Sequence, residues 1–114
     1  MKQAVLDLFH RKSLVLIAGP CAAESKELCL EVARELKKLT SEFGVGYIFK
    51  ASFDKANRTS ITSYRGPGID EGLKILRAVQ DELDLPTLTD IHLPEQAAPV
   101  ADVVDVLQIP AFLC

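Results

Sequence analysis

Ser13-Leu14-Val15-Leu16-Ile17-Ala18 is an unbroken apolar run, closed by Gly19-Pro20. An apolar run without polar alternation is the pattern of a strand buried on both faces, as parallel sheets require. Ser25 then offers a helix cap, and Cys29, Val32, Leu36, Leu39 and Phe43 recur at helical spacing to about Glu42, with Gly44 as the stop. Glu31, Arg34, Glu35, Lys37 and Lys38 supply the wet face of that helix. Residues 45–51, rich in Tyr47, Ile48 and Phe49, predict a second strand. A long loop, 52–69, follows and ends in Gly66-Pro67-Gly68, which blocks regular structure. Asp70 can cap a second helix that carries Leu73, Leu76, Val79 and Leu83 inward. Residues 86–90 predict a short third strand. Pro94 suits the first turn of a third helix, which Pro99 keeps short, and residues 103–109 predict a fourth strand stopped by Pro110.

The order is strand–helix three times over, then a strand. With no Asn-Gly or Asp-Gly hairpin signal, the pattern favours a parallel α/β sheet. An open doubly wound sheet and a segment of a (β/α)8 barrel both fit, and the absence of GxGxxG after the first strand weakens the dinucleotide-binding version. Residues 1–12 read as a short amphipathic arm and 13–114 as the sheet domain. The arm interrupts Val5, Leu6, Leu8 and Phe9 with Asp7, His10 and Arg11, so it lacks the apolar core of a secretory signal. No apolar run approaches the ~20 residues that span a bilayer.

Composition narrows the classes further. A chain of 114 residues, 48% hydrophobic and 25% charged, is one soluble domain's worth. Its net charge of −3 argues against a general nucleic-acid or membrane binder. Cys21, Cys29 and Cys114 form no disulfide framework and no CxxC pair, the usage of a cytosolic protein. Charge is unevenly spread: residues 50–65 hold Lys50, Lys55, Arg58 and Arg65 against Asp54 alone. A basic island of +3 in an acidic chain is where an anionic ligand is expected.

The polar clusters all fall at strand carboxyl ends, the rim that builds the active site in both architectures. Gly19 to Ser25 follows the first strand, Lys50 to Ser60 the second, Thr89 to His92 the third and Gln108 the fourth. Cations interleaved with hydroxyls suit phosphate and carboxylate, Arg bidentately and Lys as a point charge. The blander readings are a snorkelling Lys50 and a solvated basic loop. A single-strand nucleic-acid platform on Phe49, Phe53 and Tyr64 is the most distant reading, since Phe49 belongs to the apolar strand. Cys21 sits between Gly-Pro and a helix start, which can favour a thiolate, although an isolated thiol is commonly a small hydrophobe. A metal site needs three or four ligands, and spacing offers only Cys21 with His92, Asp90 or Glu24. His92 by itself reads as a hydrogen-bonded loop histidine and Cys29 as packing.

Taken together, several segments resemble the 3-deoxy-D-manno-octulosonate 8-phosphate synthase family. They are Ala18-Gly19-Pro20-Cys21-Ala22-Ala23-Glu24-Ser25, the run from Phe49 through Lys55-Ala56-Asn57-Arg58-Thr59-Ser60, Tyr64-Arg65-Gly66-Pro67-Gly68, Thr89-Asp90-Ile91-His92, and Gln108 to Cys114. The resemblance runs from about residue 13 to the last residue. The sister synthases that make a seven-carbon sugar acid share Ala-Gly-Pro-Cys but typically carry Lys-Pro-Arg-Thr where this chain has Lys55-Ala56-Asn57-Arg58. The resemblance implies a (β/α)8 barrel that condenses phosphoenolpyruvate with arabinose 5-phosphate and water, releasing phosphate, in a cytoplasmic homo-oligomer that is a tetramer in the family. It implies that Lys50 and Lys55 hold the phosphoenolpyruvate anion, helped by Ser52 and Gln108, with Lys50, Lys55 and Asn57 as the catalytic set. Asn57, Arg58, Thr59 and Ser60 would hold the sugar phosphate, with Asp90 on the same rim. Cys21 matches the cysteine ligand of members dependent on a divalent metal such as zinc, iron or manganese; other members have asparagine there.

A family barrel has eight strands and this pattern has four, so the chain reads as the first half of one. The remaining metal ligands, a His, a Glu and an Asp, are expected beyond it. Four open strands would expose Val15, Ile17, Ile48, Val104 and Val106, and a chain of this kind is expected to self-associate without turning over. The rival readings are the seven-carbon sister synthase and a non-catalytic anion-binding half-barrel module.

Overall fold

Strand alternation sends neighbouring side chains to opposite faces, so each strand here needs two partners. The computed structural model describes residues 2–55 and 66–114. It contains α1 (Lys2–His10), β1 (Val15–Ala18), α2 (Lys26–Glu42), β2 (Gly46–Lys50), α3 (Ile69–Leu83), β3 (Thr87–Asp90), α4 (Ala97–Ala101) and β4 (Val106–Gln108). The strands pair in the order β1-β2-β3-β4, all parallel. Four parallel strands alternating with helices match the predicted fold class and are consistent with part of a (β/α)8 barrel.

On one face Tyr47 and Phe49 of β2 meet Cys29 and Ala33 of α2 and Ile75, Leu76 and Val79 of α3 in the main core. On the other face Ile48 and Leu88 pack with Val15 and Val106 against Val5 and Leu8 of α1. The N-terminal segment is therefore a helix seated on the sheet, covering the lower part of the face that a barrel would turn inward. Ile48 is fully buried beneath it, whereas Ile17, its register partner on the edge strand β1, is 41% exposed. The expectation of exposure thus holds for Ile17 and fails for Ile48. Val104 also departs from it: it lies before β4 and is buried in the helix-side core.

The helices follow their caps and stripes with local corrections. Ser25 caps α2, its Oγ accepting from the Leu28 N–H at 3.1 Å. The buried stripe of α2 is Cys29, Leu30, Ala33 and Thr40, while Leu39 is 49% exposed. Leu39 is one residue, about 100° of helical turn, from Thr40 and so leaves the core face. Phe43 is the C-cap, past the last packed turn, and is 74% exposed. Lys37, expected on the wet face, is half-buried and donates from Nζ to the Leu83 carbonyl, capping the end of α3 with a cation. Gly68, without a side-chain cap, precedes α3, so Asp70 stands in the first turn, where its charge suits the helix dipole. Gly72 lies against Phe53, and a Cβ there would overlap the Phe53 side chain.

The fourth strand is shorter than predicted because 103–105 close a turn, with Val103 and Val104 N–H donating to the Val100 carbonyl at 3.0 and 2.9 Å. Gln80 ties this turn to α3. Its Nε2 lies 2.7 Å from Thr87 Oγ1 and 2.6 Å from the Val103 carbonyl, and Asp105 Oδ2 accepts from the Thr87 N–H at 2.9 Å. Removing that amide strands buried acceptors at the start of both β3 and β4. Gln80→Ala should cost about 1–3 kcal/mol, read as a lower urea midpoint with an unchanged slope. Gln80→Glu, equal in shape but without the N–H donors, should lose at least as much.

Burial, reinforced by the Glu24 charge, pushes the Cys29 thiol up from the ordinary 9.0 to about 11. Below pH 9 the thiol is neutral in both the folded and the unfolded chain; between these two values only the unfolded chain ionises. Stability contributed by this group is therefore complete below that window and is lost as pH rises through it, by about 1.4 kcal/mol per pH unit at most. Burial also pushes the Tyr47 hydroxyl upward, which acts in the same direction on the alkaline side. Urea unfolding at rising alkaline pH should show this loss, and Cys29→Ala should flatten part of it.

Candidate functional site

The loop after β1 is stitched to the end of β2 by backbone. The Ser52 N–H donates to the Cys21 carbonyl at 3.2 Å and the Ala23 N–H to the Ser52 carbonyl at 2.9 Å, a parallel bridge pairing Ala22 with Ser52. Gly19 makes the approach possible, since a Cβ there would overlap the Lys50 carbonyl. Gly19-Pro20 is legible in the sequence as a strand stop and as part of the family segment, but the need for a glycine at 19 is not. The bridge between 22 and 52 has no sequence signal, because it pairs residues of two separate loops.

Lys50 ends β2 on the same face as Ile48 and is half-buried. Ser52 is fully buried, and its Oγ accepts from Lys55 Nζ at 2.8 Å. The pair fixes a cation at the strand end, beside the thiol-bearing loop. Thr89 is buried on the helix side and donates from Oγ1 to the Ala51 carbonyl at 2.7 Å, joining the ends of β2 and β3. Asp90 lies in register with Gln108 of β4, and the Gln108 carbonyl accepts from the Ile91 N–H at 3.0 Å. By alternation, Lys50, Asp90 and Gln108 share the face opposite α2 and α3. Asn57, Arg58, Thr59 and Ser60, with Tyr64 and Arg65, lie outside the described residues.

His92 joins this group. Its Nε2 is 3.2 Å from Asp90 Oδ2, and both side chains are about nine-tenths buried. The ring stands edge-on to Phe53, with centroids 6.1 Å apart. The sequence pattern predicts a hydrogen-bonded loop histidine, and the polar group nearest its ring is the Asp90 carboxylate, a site residue. The Asp-x-His spacing at the end of β3 was the available signal.

Cys21 is exposed on the rim, whereas Cys29 is packed in the core. Among the described residues no three His, Cys, Asp or Glu side chains converge on a point that could hold a metal ion. One soft thiol donor does not make a cation site, so the described residues alone do not fit a bound divalent metal. A cleft of about 710 Å³ at the other end of the sheet is lined by Arg77, Gln80, Asp81, Asp84, Asp102 and Asp105. Its acidic wall is unsuited to a phosphorylated ligand, which leaves the cationic carboxyl rim as the candidate site.

A rim of this make-up can hold an anion on its ammonium groups and present a carboxylate beside it. No helix among the described residues is long and apolar enough to cross a membrane. The 2-dehydro-3-deoxyphosphooctonate aldolase of Campylobacter jejuni subsp. doylei is 59% identical over 103 residues, covering 90% of this chain and 39% of that protein. The protein of the same name from Bordetella bronchiseptica is 57% identical over 114 residues, all of this chain and 40% of the relative. The chain therefore spans about two fifths of the length of the curated relatives it matches. The matched span of the DAHP synthetase I family model, residues 10–114, takes in every strand and the whole cationic rim, and the chain belongs to that family.

Proposed function

We propose that this chain forms part of a 3-deoxy-D-manno-octulosonate 8-phosphate synthase, with residues 13–114 supplying four strands of a (β/α)8 barrel. The observation that carries the reading is the Lys55–Ser52 pair at the carboxyl rim, locked to the Cys21 loop and flanked by Lys50 and Asp90. Phosphoenolpyruvate is a small trianion. Two ammonium groups at a strand end would bind it and offset charge as it develops. Its carbon 3 would form the new bond to the aldehyde carbon of arabinose 5-phosphate. Water would add at carbon 2, and cleavage of the C–O bond would release inorganic phosphate. In this reading Lys50, Lys55 and Asn57 are catalytic, Ser52 and Gln108 fix the enol phosphate, and Asn57, Arg58, Thr59 and Ser60 hold the sugar phosphate, with Asp90 beside them.

The enzyme would supply an eight-carbon sugar acid to lipopolysaccharide synthesis in the cytoplasm and would work as a homo-oligomer. The Ala56-Asn57 pair after Lys55 supports arabinose 5-phosphate over the four-carbon aldehyde of the sister synthases. We assign the protein to the metal-dependent type, with Cys21 as one ligand of a divalent cation. The support is the residue type and its exposure on the rim.

Phosphate release by the whole gene product should be at least tenfold faster with arabinose 5-phosphate than with erythrose 4-phosphate, at matched phosphoenolpyruvate. The reverse preference would move the protein to the sister activity, and binding of phosphoenolpyruvate without turnover of either aldehyde would leave a binding module. Lys55→Met should lower kcat by about 10²–10³, while loss of the donor to the buried Ser52 Oγ should cost only about 1–3 kcal/mol of stability, read from the urea midpoint. A second expectation concerns Cys21: cobalt-loaded gene product should show a thiolate-to-cobalt absorption band that Cys21→Ser abolishes. A band unchanged in that variant would remove Cys21 from the ligand set.

A further inference from the structure

Asp90 Oδ1 and His92 Nδ1 are buried and have no hydrogen-bond partner among the described residues. A buried carboxylate oxygen without a donor is costly, and in native structures such an orphan calls for an explanation. The two oxygens of the carboxylate differ: Oδ2 lies 3.2 Å from His92 Nε2, and Oδ1 meets nothing described. The histidine is held independently of the aspartate. Its backbone N–H donates to Gln96 Oε1 at 2.8 Å, an oxygen that also accepts from the Leu93 N–H at 3.1 Å. Its ring packs edge-on against Phe53, which Gly72 of α3 locks in place. The ring is thus fixed from the loop after β2 and the turn before α4, and it meets a strand-end carboxylate on the rim that carries Lys50 and Gln108.

We infer that His92 is a positioning residue for Asp90: it holds Oδ2 through an Nε2–H donor, so that Oδ1 is presented to a hydroxyl group of the sugar phosphate. The inference rests on the proposed function for the identity of that hydroxyl donor, and on geometry alone for the His92–Asp90 pair. The chemistry is consistent. An ionised carboxylate only accepts hydrogen bonds, and a neutral histidine with its proton on Nε2 donates one there. A polyol phosphate brings hydroxyl donors, which are what Oδ1 lacks.

The test uses the whole gene product. Nitrogen-15 spectra of the histidine rings should show the His92 proton on Nε2, and Asp90→Ala should abolish that tautomer preference. His92→Leu should lower kcat/KM by about 10- to 100-fold, the worth of one charge-assisted hydrogen bond. His92→Gln, whose amide can donate from about the same place, should recover activity to within about threefold of the unsubstituted protein. In an Asp90→Asn background, His92→Leu should cost nothing further. A proton on Nδ1, no rescue by Gln, or full additivity of the two substitutions would overturn the positioning role. Should His92→Leu not fold, the tautomer and the Gln variant decide. If the unsubstituted protein turns over no aldehyde, the functional reading falls, while the spectra still judge the His92–Asp90 pair.

Discussion

Two-sided burial of β2 is the constraint on which the other elements depend. Its neighbours on both sides are parallel strands, in register Ile17 with Ile48 and Lys50 with Leu88. A parallel neighbour cannot be reached by a tight turn, so a crossover segment must return the chain each time. Here α2 and α3 are those segments, and both press on the face that carries Tyr47 and Phe49. The opposite face of β2 then needs its own cover, and α1 supplies it over Ile48 but stops short of Lys50. The apolar lower layer and the polar upper rim follow from how far α1 reaches.

The rim is assembled by backbone as much as by side chains. Ser52 shows this most clearly: its N–H and carbonyl hold the Cys21 loop while its hydroxyl accepts from Lys55. A fully buried serine whose N–H, carbonyl and hydroxyl oxygen are all engaged is a rigid post, so a cation placed on it undergoes little reorganisation when an anion arrives. The network at the other end, around Gln80 and Asp105, anchors the starts of β3 and β4 in the same way. Register is thus held at both ends of short strands that have few ladder bonds of their own. Exposed ion pairs such as Lys26–Glu82, at 3.0 Å, add much less.

Helix and strand existence was legible from apolar spacing, and Ser25 was legible as a cap because its hydroxyl has a local use. The stripe on α2 was misplaced by one residue, toward Leu39 instead of Thr40, because hydrophobicity alone ranks Leu above Thr. Tertiary packing overrode that ranking: Thr40 satisfies its hydroxyl on the Leu36 carbonyl at 2.8 Å and goes inside. Lys37 departs from the wet-face pattern for a related reason. Its charge suggests water, but the end of α3 offers it a carbonyl. The fourth strand is shorter than its sequence pattern because Val103 and Val104 are good strand formers that the turn after α4 uses as core.

What the sequence by itself determined is the alternation of strands and helices, the basic island past β2, the placing of Cys21, Lys50, Asp90 and Gln108 at strand ends, and the family resemblance of those segments. Each of these depends on residue type and spacing along the chain, which is local information. Only the tertiary structure decided that α1 covers Ile48, that Ser52 is the post joining Cys21 to Lys55, and that His92 faces Asp90 with one carboxylate oxygen left over. These contacts join residues far apart in sequence or point a side chain within a loop, and both are settled by packing around β2, which no spacing rule encodes.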